Sequence, residues 1–420
     1  MPDLLNAFEI EVPNTDQLKP KLEPVPWFLL NVPKHFHKEP LYHDPDYIEF
    51  CKSERFAKGD IDKLIIILQK YGGYADLILA ADHYVMIKKK QRLMPLLARK
   101  ISREEINIIV DGMFTEEQRS YAFSPGKQLD ESYEVYEDKV ELPFRNRVNV
   151  CSFQSRMGRA LKITLRDLPA IPPSYDDLNV PQIIRDNAVT VEGLVAICGQ
   201  TGSGKTTLCA SILRAIKEDP HNSRVTLTYE KPIEFQFDVL PGYNPIFPHT
   251  IGEFGDFKTF HEGLTNALRC TPEVIFLGES RERETFETLP KIAESGHLGI
   301  TTLHARSIAN IFTRIGNEVD PSQMYGIIRQ TLQYMHLAVY QWLAPTVDGE
   351  VMPLQEILLF TNEVKEEILS LPNEKLIAGI DKAVQKHGQC FHSQVEKAYI
   401  EKRISKQTYR NAILSSGEKE

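Results

Sequence analysis

Residues 194–210 read Leu-Val-Ala-Ile-Cys-Gly-Gln-Thr-Gly-Ser-Gly-Lys-Thr-Thr-Leu-Cys-Ala, and no other stretch limits the fold as much. Leu194 to Cys198 is an apolar run of the length of a buried parallel strand, and helix formers resume from Thr207. Between them, Gly199, Gly204, Lys205 and Thr206 hold the fixed places of G-x-x-x-x-G-K-[ST]. The glycines let the backbone turn its N–H groups inward around phosphate oxygens, and the helix that follows aims its positive N-terminal end at the same anion. Gln200, Thr201, Gly202 and Ser203 complete the loop, and Thr207 belongs to the first turn of the helix. Lys205 is placed to reach the β- and γ-phosphates, and Thr206 to offer a hydroxyl to Mg²⁺. An accidental glycine-rich turn with this pattern arises on the order of once in a hundred chains of this length. The flanking strand and helix make it rarer still. The stretch predicts a nucleotide site for ATP and Mg²⁺.

At 420 residues the chain is too long for one ordinary core and suits two domains with additions. Its net charge of −9 argues against direct binding of duplex nucleic acid, since affinity for phosphate backbones comes largely from Lys and Arg. Cysteines 51, 151, 198, 209, 270 and 390 are scattered without a C-x-x-C pair, which predicts reduced thiols in a cytoplasmic protein. The N-terminus carries no basic segment leading into an apolar core, and no run approaches the roughly 18 apolar residues of a membrane span.

The pattern divides into four regions. Residues 1–45 form an extended proline-rich arm, with Trp27, Phe28, Leu29 and Leu30 as an apolar anchor. Residues 46–168 form a smaller α+β domain. In it, 60–71 and 102–113 read as helices, the latter with a Ser102–Glu105 capping box. Strands fall at 75–81, 83–88, 142–153 and 160–165. Residues 169–345 form the nucleotide domain, entered through a proline-rich hinge at 169–178. Its strands at 224–229, 274–277 and 299–303 alternate with helices, which predicts a doubly wound, mainly parallel α/β sheet. Residues 346–420 form a helical C-terminal region, helical beyond Pro353. Ligands of such sheets sit beyond the carboxyl ends of the strands, and three sequence clusters fall there.

The first cluster is Tyr229-Glu230-Lys231-Pro232-Ile233-Glu234. A carboxylate here can orient the water that attacks a γ-phosphate, because this hydrolysis needs positioning more than strong base chemistry. Taken alone, it reads equally as a solvated acidic turn. The second is the apolar strand 274–277 delivering Glu279, the arrangement that holds Mg²⁺ through its water shell. The third is 296–304, in which His297 and His304 bracket a buried strand. Such histidines are either satisfied core residues or donors to a γ-phosphate.

Four ordered segments, GQTGSGKTT (199–207), TLTYEKPIEF (226–235), NALRCTPEVIFLGESRERET (266–285) and ESGHLGITTLH (294–304), resemble the secretion ATPase superfamily of type II and type IV secretion and type IV pili. In organisation the chain looks most like the PilT-like motors and the DotB/TraJ-type ATPases of Dot/Icm and IncI conjugation systems. The resemblance implies a RecA-like P-loop ATPase core, a PAS-like N-terminal domain and a helical C-terminal extension. It implies a catalytic role for Glu234 and a Walker B role for Glu279, which with Thr206 holds Mg²⁺ largely through water. It places His304 facing the nucleotide and draws phosphate-binding arginines from among Arg147, Arg156 and Arg166, with Arg224, Arg269 and Arg281 as weaker candidates. It further implies a homo-oligomer, a hexameric ring, in the cytoplasm and peripheral to the inner membrane, joined there by cytoplasmic or inner-membrane secretion-machine proteins. The function it implies is an ATP-hydrolysing motor of type IV secretion or conjugation. The alternatives are a type IV pilus retraction ATPase and a nucleotide-gated assembly subunit with little turnover. Two departures stand out. Lys231 occupies the Asp position of the family's Glu-Asp-Pro box, and the Ala-Ile-Arg-Ala-Gly-Glu motif of retraction motors is missing from 350–420.

Overall fold

The structure, a computed structural model, describes residues 39–89, 92–138, 140 and 142–416. The expected Trp27–Leu30 anchor lies outside the described residues. Contacts divide the chain into two compact units. One holds the described residues up to Gln128 with Val150–Arg166, and the other holds Leu129–Asn149 with everything from Asp167 onward.

Six strands come first: β1 (Asp76–Ala80), β2 (Tyr84–Lys89), β3 (Arg92–Lys100), β4 (Gln128–Val135), β5 (Phe144–Ser155) and β6 (Gly158–Leu168). They form one sheet in the order β3-β2-β1-β6-β5-β4. β1 pairs antiparallel with both β2 and β6. Alternation does the folding work: Leu77 and Leu79 on β1, Val85 and Ile87 on β2, and Ile163 and Leu165 on β6 are all buried, the pattern of a sheet with one apolar face. Helix Asp60–Lys70 buries Leu64, Ile65 and Leu68. Helix Arg103–Met113 opens on the expected capping box, Ser102 Oγ accepting from Glu105 N at 3.2 Å and Glu105 Oε2 from Ser102 N at 2.7 Å. A second box, Thr115 with Gln118, starts a helix at Glu116–Phe123 that the periodicity did not predict.

The second unit is built on seven strands, β7 (Gly193–Cys198), β8 (Thr226–Glu230), β9 (Ile246–Thr250), β10 (Val274–Leu277), β11 (Leu298–Leu303), β12 (Met335–Pro345) and β13 (Val351–Leu359). Their order is β13-β12-β7-β11-β10-β8-β9. Every pair is parallel except β12–β13. β7, β8, β10 and β11 are buried along their whole length, as strands covered by helices on both faces must be. The carboxyl ends of β7, β8, β10 and β11 therefore lie side by side, and each feeds one of the segments singled out above. Helix begins at Asn362 and not at Pro353, because Leu354, Ile357 and Leu358 are drawn into β13 and buried.

The expected hinge is anchored from Ala170 onward. Ala170 O accepts from Gln236 N, Pro172 O from Arg214 Nη1 at 2.9 Å, and Tyr175 O and Val180 O from the Arg185 guanidinium. Cys198 and Cys209 lie deep in the core, where burial pushes both thiols up and keeps them protonated. Among the described residues, no helix is long and apolar enough to cross a membrane.

Candidate nucleotide site

β7 ends at Cys198, and the loop Gly199–Gly204 turns directly into helix Lys205–Glu218. Gly202 and Gly204 have φ of 77° and 78°, a left-handed conformation that glycine adopts without strain. Gly199 is required by space, since a Cβ there would lie 2.3 Å from Gln341 O and 2.4 Å from Ser203 Oγ. Lys205 is buried, its Nζ donating to Gly199 O at 3.1 Å and to Gln200 O at 2.9 Å. Burial lowers its proton affinity, while the nearby charges of Glu279 and Glu234 raise it. Ser203 Oγ is buried without a hydrogen-bond partner among the described residues. Gln200, Thr201 and Gly202 are exposed, and Thr206 and Thr207 are half-buried on the first turn of the helix.

Beyond β10, Glu279 pairs with Arg281 and, at 2.9 Å, with His304 Nε2. Burial and the charge of Lys205 hold His304 below the ordinary imidazole range, against the pull of Glu279. That direction favours the neutral ring. The strand ends are braced by hydroxyls: Thr302 Oγ1 donates to Gly278 O at 2.6 Å, and Ser280 Oγ meets Thr301 Oγ1 at 2.8 Å.

The 230–234 turn is held by a residue that sequence reasoning missed. Arg145, on β5, is 3% exposed. Its Nη1 donates to Glu234 O at 2.8 Å, its Nη2 to Ile233 O at 3.1 Å, and its Nε to Glu134 at 3.0 Å. Arg147, two residues on, holds Asp130 through two bonds of 2.8 and 2.5 Å. That pairing raises its affinity for its proton, helped by the charges of Glu234 and Glu279. Lys205, Glu234, Glu279, His304 and Arg147 thus share one electrostatic environment. Arg156, exposed in the β5–β6 turn, and Arg166, paired with Asp76 at 3.0 Å, belong to the other unit.

Glu230 ends β8 almost fully buried, accepting from Thr228 Oγ1 at 2.6 Å. Burial pushes its carboxyl up to about 7 from an ordinary 4.5. A raised carboxyl contributes stability that is fully present below the unfolded value and lost as pH rises through the folded one. Glu230→Gln keeps the acceptor for Thr228 and removes the titration. It is expected to be more stable than the parent by about 3 kcal/mol above pH 8 and to converge with it near pH 4–5. Thermal midpoints across that range check this, and a pH-independent difference would refute the buried proton.

Residues 173–340 match the family model for the type II/IV secretion system protein. The chain is 28% identical to the type IV pilus ATPase PilU of Pseudomonas aeruginosa, over 84% of this chain and 88% of that protein. It is 26% identical to the pilus retraction ATPase PilT of the same organism, over 81% and 95%. Among solved structures, the ATPase DotB of Legionella pneumophila matches with a TM-score of 0.79 at 28% identity, over 87% of this chain and 98% of that one. The pilus retraction motor PilT with bound ADP matches with a TM-score of 0.72 at 26% identity, over 85% and 97%.

Proposed function

We propose that this chain, a PilT-like ATPase of the type II/IV secretion class, is the motor of a bacterial type IV secretion or conjugation machine. The observation that carries the reading is the Gly199–Lys205 loop after β7 beside the Glu279–His304 pair that follows β10 and β11, all at the carboxyl ends of one parallel sheet. Water would attack the γ-phosphorus as the bond to the β–γ bridging oxygen breaks, releasing ADP and phosphate. Glu234 orients that water and takes its proton. Lys205 and the loop N–H groups carry the growing negative charge, since such catalysis is mostly positioning and electrostatics. Arg147, which responds to the charges of Glu234 and Glu279, is the arginine assigned to the phosphates in this reading.

The residues present fit Mg²⁺. Thr206 Oγ1 and Glu279 are hard oxygen donors, and Ser203 Oγ in the same loop is buried without a hydrogen-bond partner among the described residues. Glu279 would hold the ion largely through water, and when bound the ion neutralises β- and γ-phosphate charge. Among the described residues no three acidic, histidine or cysteine side chains converge as a metal site.

Glu279→Gln tests the assignment. It keeps the shape and hydrogen bonding but removes the charge, so ADP binding should persist while turnover falls by about a hundredfold. Parental turnover in that variant would remove Glu279 from the mechanism, and sustained parental turnover itself rejects a low-turnover assembly subunit. The likeness to PilU and PilT keeps pilus retraction as the second reading. Lack of the retraction motif in 350–420 and the DotB match favour secretion. Comparing substrate transfer with twitching in cells carrying Lys205→Ala separates them. A hexameric ring, acting on secretion-machine proteins at the inner membrane, completes the reading, and mass measurement with an ATP analogue tests the ring.

A further inference from the structure

We infer that two glutamines, Gln341 and Gln355, form an amide relay that sets the phosphate loop for nucleotide, with Gln341 as its positioning residue and Gln389 bracing the main chain of β13. The inference rests on reading Gly199–Thr207 as the nucleotide loop. It adds a component that lies far from that loop in sequence.

β12 runs parallel to β7 with Tyr340 opposite Cys198, so Gln341 comes level with the start of the loop. Its backbone oxygen fills the space where a Cβ on Gly199 would stand, at 2.3 Å. Its Nε2 lies 2.9 Å from where a Cβ on Gly204 would stand. One residue therefore presses on both ends of the loop at its two glycines. Between them, Gln341 Nε2 donates to Ser203 O at 2.7 Å. A trans peptide points its C=O and its N–H in opposite directions. Holding Ser203 O toward Gln341 turns the Gly204 N–H the other way, into the cradle where phosphate oxygens are bound.

An amide performs this task only if its nitrogen, and not its oxygen, faces Ser203. Gln355 fixes that choice. It stands directly opposite Gln341 across the antiparallel β12–β13 pair, and its Nε2 donates to Gln341 Oε1 at 2.7 Å. The flipped arrangement would set two carbonyl oxygens against each other at Ser203 and two amide nitrogens at Gln355. Gln341 and Gln355 are 5% and 4% exposed, so water does not rescue a wrong orientation and an unpaired amide there is costly. Gln389 braces the main chain of β13 beside them. Its Nε2 donates to Gln355 O at 3.1 Å, and its main chain exchanges hydrogen bonds with Ile357. Helix Phe391–Ile400 starts two residues later. The phosphate loop is thereby tied through β12 and β13 to the C-terminal helices.

The test uses the full chain, a fluorescent ADP with Mg²⁺, and steady-state ATP turnover. Wild type comes first: a chain that binds no ADP removes the nucleotide reading itself. With binding established, Gln341→Met, which keeps volume and loses the donor, is expected to weaken ADP binding about tenfold. It should raise KM for ATP more than it lowers kcat. Gln355→Met should shift both in the same direction, and the double variant should bind no more weakly than Gln341→Met alone, because the two act in series. Wild-type ADP affinity in Gln341→Met, or losses that multiply in the double variant, overturns the relay. If thermal unfolding shows that Gln341→Met does not fold, Gln355→Met decides: a several-fold loss of ADP affinity supports the relay and unchanged affinity overturns it.

Discussion

Lys205→Ala should leave no measurable ATP turnover and should weaken ADP binding by about two orders of magnitude. The ammonium donates to two loop carbonyls, Gly199 O and Gln200 O. It is buried, so whatever it binds is poorly screened by water. It lies close enough to Glu279 and Glu234 to feel both charges. Hydrogen bonds to charged groups contribute about 1.5–3 kcal/mol each, and the ammonium is asked to serve two phosphates. Its loss also removes one of the positive charges that offset Glu234 and Glu279. Lys205→Arg should not rescue, because a planar fork replaces a compact charge in a space set by the loop backbone. Phosphate release and ADP titration measure the two effects, and a variant that turned over at the parental rate would remove the loop from the chemistry.

The parts of this site that could be read in the sequence are those whose geometry is local. Gly199, Gly204, Lys205 and Thr206 lie within one turn, and the turn is dictated by glycines at fixed offsets. Glu279 and His304 were legible because an apolar strand ending in a polar residue announces where that residue will stand. The supporting residues were not. Arg145 reaches a carbonyl 89 residues away, and Gln341 reaches one 138 residues away. No spacing rule spans such distances; only the sheet order brings them together. β12 has no boundary signal in the sequence because helix Met324–Tyr334 runs into Met335–Pro345 without a break, so a period of 3.6 passes into a period of 2 with no glycine or proline between. β13 was masked by Pro353, which an edge strand tolerates because its outer N–H needs no partner. The α+β unit was legible where alternation was clean, as in β1 and β6, and less so at β4, whose DESYEV core alternates poorly.

Glu234→Gln should lower kcat by about a hundredfold or more while changing ADP affinity little, and Arg145→Met should look like a milder copy of it. Arg145 acts on the main chain of the turn. It grips the backbone, through Ile233 O and Glu234 O, and so fixes where the Glu234 side chain begins. Its third donor goes to Glu134, which also accepts from Gln236 Nε2 at 2.9 Å. The turn is thus tied to a partly buried ion pair, Arg145 with Glu134. Removing the guanidinium takes the side-chain donor from two carbonyls, at about 1–3 kcal/mol each if they stay buried, while Glu134 keeps Gln236 and Tyr136 as donors. The turn relaxes to relieve that cost, and a displacement of about 1 Å at the carboxylate is worth up to about a hundredfold in rate. The loss should fall on kcat and spare KM, because the nucleotide is held by the loop after β7 and not by this turn. The decisive measurement is the double variant. If Arg145 acts only through Glu234, then Glu234→Gln with Arg145→Met turns over no more slowly than Glu234→Gln alone. Multiplying losses would instead give Arg145 a contact of its own with the reacting phosphate. A rise in KM alone would make it part of nucleotide binding.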